Sequence, residues 1–83
     1  MSETLTEKLP HETLAITPSQ YYMKRVAAIK NDLPLNYRKV MYRHYPGLKT
    51  PRGKTLIRNV VAGKQSNIFI TELLEKIAKR EIV

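Results

Sequence analysis

The chain contains no cysteine, which excludes disulfide bridges and thiolate zinc sites. Acidic residues are also few: 7 Asp and Glu residues stand against 15 Lys and Arg residues, and the formal net charge is +8. With 83 residues and no covalent cross-link, the chain is expected to fold as one small domain around a modest apolar core.

Long apolar runs are missing as well. No stretch approaches the ~18 consecutive apolar residues that a membrane span requires, and no secretory signal pattern is present. We therefore expect a cytoplasmic protein that has no membrane partner.

Residues suited to catalysis or metal binding are equally sparse. His11 and His44 are too few and too isolated for a closed metal site, and no Ser/His/Asp or Cys/His set is present. The Gly53-Lys54-Thr55 sequence lacks the glycine five residues earlier that a phosphate-binding loop contains. The sequence predicts a protein that is not an enzyme and that uses no metal, cofactor or small-molecule substrate.

Acidic residues are absent altogether between Asp32 and Glu72. This interval holds eight basic residues, the central cations: Arg38, Lys39, Arg43, Lys49, Arg52, Lys54, Arg58 and Lys64. A solvated surface normally mixes both signs, whereas charges of one sign create a field that attracts polyanions. The charge pattern therefore favours a nucleic acid as the partner.

Apolar residues recur at helical spacing once the chain has passed residues 1–15, which we interpret as a mobile N-terminal arm. Residues 16–83 are expected to form one all-α domain of four helices. Thr17 and Gln20 have the spacing of a capping box, which predicts the start of the first helix. Pro34 ends that helix, and Asn36 is the candidate cap of the second.

The last helix is predicted near residues 68–81, and it takes in the β-prone stretch 67–71 at its start. Its apolar residues lie on one side and its charged residues on the other. Glu72 with Lys76, and Glu75 with Lys79, have the i, i+4 spacing of favourable ion pairs along a helix.

The third helix, predicted for residues 51–62, begins at Thr50-Pro51 and ends before Gly63. Its apolar stripe is Ile57, Val60 and Val61, so at roughly 100° per residue the opposite side carries other side chains. Those side chains are Lys54, Thr55, Arg58 and Asn59. Arg and Lys match guanine, Asn matches adenine, and Thr contacts a base edge or a thymine methyl group.

Residues 57–65 (IRNVVAGKQ) and 70–78 (ITELLEKIA) resemble the phage repressor/Cro-type, lambda repressor-like helix-turn-helix family. In that family a recognition helix ends in a similar apolar pattern followed by Gly and a basic residue, and another amphipathic helix follows. The sequence 33–40 resembles the start of the family's second helix. The connector at residues 45–50 departs from the pattern, because the family's turn is shorter.

The resemblance implies a transcription regulator that binds double-stranded DNA in the major groove through helix 51–62. Base contacts are then expected from Lys54, Thr55, Arg58 and Asn59. Contacts to the DNA backbone are expected from Asn36, Arg38, Lys39, Arg43, Lys49, Arg52, Lys64 and Gln65.

Phe69, Ile82 and Val83 fall outside the predicted core stripe of the last helix. Scattered apolar residues are common on surfaces. Helix-turn-helix domains commonly bind two half-sites as dimers, however, and a chain this small benefits from an interface. These three residues are therefore our candidate contacts of a homodimer.

Two other functions remain compatible with the sequence. The chain can serve as a protein-interaction module, such as an antitoxin or a phage adaptor, with an incidental basic stretch. The same basic face can also bind RNA. A competition assay between duplex DNA and RNA separates these possibilities.

Overall fold

The structure is a computed structural model, and it describes residues 17–83, which contain helices and no strand. The predicted arm, residues 1–15, lies outside the described residues. Four α-helices follow in order: α1 (Pro18–Ile29), α2 (Tyr37–His44), α3 (Pro51–Val61) and α4 (Ile68–Ala78). Short 3-10 turns span Lys30–Asp32 after α1 and Pro46–Leu48 between α2 and α3. The all-α prediction is confirmed for this part of the chain.

Three of the four helices start at a side-chain cap. The hydroxyl of Thr17 accepts a bond of 3.1 Å from the backbone N–H of Gln20, whose side chain accepts one from Thr17, so the predicted capping box is present. Thr50 caps α3 through the N–H of Gly53, and Asn67 caps α4. Asn36 takes the N-cap position of α2, as predicted, but its side chain makes no capping bond.

Two helices end with the same pair of backbone bonds. After α3, the N–H groups of Gly63 and Lys64 donate to the carbonyls of Val60 and Asn59, and Gly63 adopts the left-handed conformation with φ 78°. After α4, Arg80 takes the corresponding place with φ 62°. A left-handed conformation is unfavourable for a residue with a Cβ atom, so the contacts of Arg80 must offset the strain.

Nine aliphatic side chains form the core, and every helix contributes at least one. They are Val26, Val40, Met41, Ile57, Val60, Ile70, Leu73, Leu74 and Ile77. Four of them belong to α4, which is therefore the helix around which the others pack. The predicted stripe of α3 is buried at Ile57 and Val60, while Val61 is half-buried against the same cluster.

Helices α1 and α4 lie side by side and run in the same direction. Ser19 at the start of α1 bonds Ser66 just before α4, and the two hydroxyl oxygens are 2.8 Å apart. Near the other end, the guanidinium of Arg80 donates to the carbonyl of Asp32 at 2.9 Å. Since the contacts advance together along both segments, the two helices are parallel.

The ion pair between Arg25 and Glu75 joins the middle of this helix pair. The guanidinium donates to both carboxylate oxygens, with Nε to Oε2 at 2.9 Å. The hydrogen bond from Arg25 lowers the pKa of the Glu75 carboxyl below its ordinary value. The same bond raises the pKa of the Arg25 guanidinium. Glu75 is thus bound across helices, and the expected pair with Lys79 along the helix is not its main contact.

Candidate nucleic-acid interface

Helix α3 presents one apolar and one polar face. Gly53, Ile57 and Val60 are buried against the core. At roughly 100° per residue, the face opposite to them is centred on Thr55 and Arg58. Both of these side chains are exposed. The helix therefore offers its polar face to solvent along its length.

Lys54 and Asn59, the other predicted base-contacting residues, lie on opposite edges of this face. Lys54 is exposed, whereas Asn59 is half-buried. The amide of Asn59 donates to the side-chain oxygen of Gln65 at 3.4 Å, and this contact ties α3 to the loop that follows Gly63. Three of the four predicted base-contacting residues are thus exposed, and the fourth is bonded to Gln65.

The residues predicted to contact the DNA backbone are all exposed in the structure. They comprise Asn36, Arg38, Lys39, Arg43, Lys49, Arg52, Lys64 and Gln65. Arg38 contacts its neighbour in the chain, because its Nε donates to the hydroxyl of Tyr37 at 3.2 Å. Lys49 and Arg52 flank Thr50, where the turn leads into α3.

The electrostatics of the eight central cations follow from what surrounds them. Within residues 17–83, none of them forms a salt bridge. The ion pair seen in this part of the chain belongs to Arg25 and Glu75, on α1 and α4. The charge on α2, the turn and α3 is therefore uncompensated inside the described chain, and it is available to an anionic partner.

The turn between α2 and α3 packs tightly on the first turn of α3. Leu48 is half-buried against the core, and its carbonyl oxygen lies well inside van der Waals contact of the place where a Cβ on Gly53 would stand. Gly53 is thus present because the backbone of the turn approaches α3 closely. The connector at residues 45–50 is longer than the turn of the repressor/Cro-type family, but it is compact because Pro46–Leu48 forms a 3-10 turn.

The same contact explains the Gly53-Lys54-Thr55 sequence. These residues lie inside α3, where the turn covers Gly53 and its N–H donates to the hydroxyl of Thr50. No group of three or more residues suited to metal binding is present in the described range. None of the helices from residue 17 onward has the length and apolar character needed to cross a membrane.

The structure separates the predicted dimer contacts into two places. Phe69 is 47% exposed at the start of α4, and its ring packs edge-on against Tyr45, with centroids 5.0 Å apart. Ile82 and Val83 lie beyond the other end of α4. Ile82 is half-buried against the core, so its placement outside the core was wrong, whereas Val83 is 68% exposed.

Two contacts of the segment after α4 were not predicted from the sequence. The imidazole Nε2 of His44 lies 3.0 Å from the carbonyl oxygen of Val83, which joins the end of α2 to the segment after α4. Arg80 binds the carbonyls of Asp32, Ile77 and Ala78 with one guanidinium nitrogen. Neither contact has a signal in the sequence, because each depends on how distant segments pack.

Comparisons with protein-family models, with curated proteins and with solved structures give no match for this chain. The resemblance to the repressor/Cro-type family therefore stays a prediction that rests on the residues themselves.

Proposed function

We propose that this protein is a sequence-specific transcription regulator that binds double-stranded DNA and reads the major groove with α3. The observation that carries the proposal is the polar face of α3, with exposed Thr55 and Arg58, in a region where no central cation has a salt bridge among the described residues. An α-helix has the width of the major groove, and these side-chain types match base edges.

The central cations provide affinity in this proposal. Each lysine or arginine that contacts a phosphate releases counterions from the duplex, so binding weakens as the salt concentration rises. Lys39 on α2 and Lys64 after α3 are the backbone contacts that we assign to either side of the recognition helix. These contacts set the position of the protein on the duplex and carry no sequence information.

The side chains of α3 provide selectivity. Arg58, near the middle of the exposed face, is suited to guanine O6 and N7, and Thr55 to a thymine methyl group. Asn59 is suited to adenine, and its amide nitrogen donates to the side-chain oxygen of Gln65. The regulator acts by occupying its site in the cytoplasm, as the resemblance to the repressor/Cro-type family implies.

Selection from a random duplex library tests the proposal most directly. We expect one sequence motif to be enriched and bound about 10³-fold or more tightly than random duplex at the same salt concentration. The affinity is expected to fall linearly with salt concentration when both are plotted as logarithms.

A matched charge change supplies the control. Lys30→Ala removes an exposed positive charge from the 3-10 turn after α1, outside the central cations, and should change the affinity far less than Lys39→Ala. RNA that competes as well as the selected duplex would instead support the RNA-binding alternative. Absence of an enriched motif together with no duplex binding at low salt would contradict the proposal.

A further inference from the structure

Leu35 is the most exposed large apolar residue of the described chain. Its relative exposure is 105%, and it lies in the connector between the 3-10 turn Lys30–Asp32 and α2. Single apolar residues on a surface are common, so exposure alone carries no conclusion. What sets Leu35 apart is the surface beside it.

A cavity of about 210 Å³ opens next to Leu35. The two neighbours of Leu35 in the chain, Pro34 and Asn36, line this cavity, but Leu35 itself does not. The remaining apolar wall comes from α2, from α4 and from the segment after it, through Val40, Ile77, Ile82 and Val83. A protruding aliphatic side chain and an apolar recess therefore stand side by side on one patch.

Such a patch is complementary to itself. When two copies meet about a two-fold axis, each residue i that contacts residue j of the partner is matched by the reverse contact. A knob beside a recess satisfies this condition, because each copy supplies the knob for the other's recess. We propose that a second copy of this chain docks here, with Leu35 of each copy inserted into the cavity of the other.

The charges around the cavity fit a second copy. Arg43 and Arg80 line it, and Glu81 follows Arg80 with an exposed side chain. Asp32 is also exposed, and its carbonyl is bound to Arg80. A two-fold contact can therefore place Asp32 and Glu81 of one copy near Arg43 of the other. Arg43 is itself a central cation, but the other seven have no acidic residue between Asp32 and Glu72 to offer a second copy.

The recess is held in shape before any partner arrives. Arg80 is fixed by its bonds to three carbonyls, and the carbonyl of Val83 contacts the imidazole of His44. An ordered recess loses less conformational freedom on association than a mobile one. This proposal does not rest on DNA binding, although pairing of two α3 helices would favour a palindromic site.

Sedimentation equilibrium of the full chain without DNA tests the proposal. We expect a monomer–dimer equilibrium, and Leu35→Ala should raise the dissociation constant at least about ten-fold, as for a central apolar anchor. Because Leu35 is fully exposed, the helical circular dichroism should stay the same, and so should the melting midpoint at concentrations where both proteins are monomeric. Ile68→Ala, which shortens another exposed aliphatic residue away from the cavity, should leave the association unchanged.

Cross-linking adds a readout of geometry, since the chain has no cysteine of its own. When equal amounts of the Leu35→Cys and Val83→Cys variants are mixed under oxidising conditions, the mixed disulfide should clearly exceed the roughly two-fold excess over each homodimeric product that random pairing gives. Undiminished association of Leu35→Ala would overturn the proposal. A wild type that stays monomeric would also overturn it. In that case, nuclear Overhauser contacts to the side chains that line the cavity would identify the segment of the same chain that fills it. Since DNA is absent from these measurements, their failure leaves the DNA-binding proposal untouched.

Discussion

The ion pair of the described chain lies in one half of the molecule, between the parallel helices α1 and α4, whereas in the other half the cations of α2, the turn and α3 face solvent without salt bridges among the described residues. Arg25 binds Glu75 across the helix pair, and Arg80 binds three backbone carbonyls. The two halves share one aliphatic core. The first half therefore contains the charged side chains that join distant segments, and the second leaves its cations available to a partner.

This difference indicates which substitutions should affect folding and which should affect binding. A change on the inner side of α3, or between α1 and α4, removes packing or a bound charge and should lower stability. A change on the outer face of α3 removes no intramolecular salt bridge among the described residues, so it should alter binding with little effect on folding.

Gly53→Ala should have the largest effect on stability. A methyl group there would overlap the carbonyl oxygen of Leu48, which is backbone and cannot rotate away. We expect a loss of about 3 kcal/mol in the free energy of unfolding, the upper range for overpacked sites, measured by urea denaturation. Gly47→Ala is the control, since no atom lies within 4 Å of the place that its added methyl group would occupy. Equal effects at both glycines would show that the turn is not packed on α3 as described.

Arg58→Ala should leave folding intact and weaken binding of the selected duplex by about 1–3 kcal/mol, with relaxed specificity at one base position. Asn59→Ala is expected to act in the same way.

Lys39→Ala and Lys64→Ala should weaken all duplexes about equally, and each should reduce the salt slope by about 1. Fluorescence anisotropy titrations at several salt concentrations measure both effects. If all four variants lost affinity equally for every duplex, the assignment of base contacts to α3 would be wrong.

Local signals account for most of what was predicted correctly. The capping box at Thr17 and Gln20 and the cap at Thr50 depend on residues three positions apart, so the sequence displays them directly. The stripe at Ile57 and Val60 likewise follows from helical spacing. Because these signals placed α3 and its buried side, they also predicted which side chains of the candidate site face solvent.

Contacts between distant segments account for the rest. Glu75 has a basic residue four positions ahead, yet its partner is Arg25, 50 residues away, because α1 and α4 lie side by side. Ile82 packs on the core because the segment after α4 turns back toward α2, and no periodicity signals that turn. The contact of Gly53 with Leu48 is of the same kind, which is why the reason for that glycine emerged only from the structure.

Glu75→Gln should lower stability at pH 7 by about 1 kcal/mol, because it removes the charge that Arg25 binds. The folded state lowers the pKa of Glu75 below the ordinary value of 4.5, so its contribution is fully present above that pH. The contribution is lost as pH falls through the lowered folded-state pKa. Wild type should therefore lose stability more steeply below pH 4.5 than Glu75→Gln does in thermal melts. Glu72→Gln, a change at an exposed carboxyl on the same helix, should retain the steep acid dependence of wild type.

Thr71→Val gives the smallest expected effect, and it should be stabilising. Thr71 is 0% exposed within α4, and its hydroxyl has no hydrogen-bond partner among the described residues. Valine has nearly the same shape and no polar group to desolvate, so the free energy of unfolding should rise by about 0.5 kcal/mol. Thr55→Val makes the same replacement on the exposed face of α3, where the hydroxyl is accessible to water, and should leave stability unchanged. A loss of stability in Thr71→Val would mean that the buried hydroxyl has a hydrogen-bond partner in solution and contributes to the stability of α4.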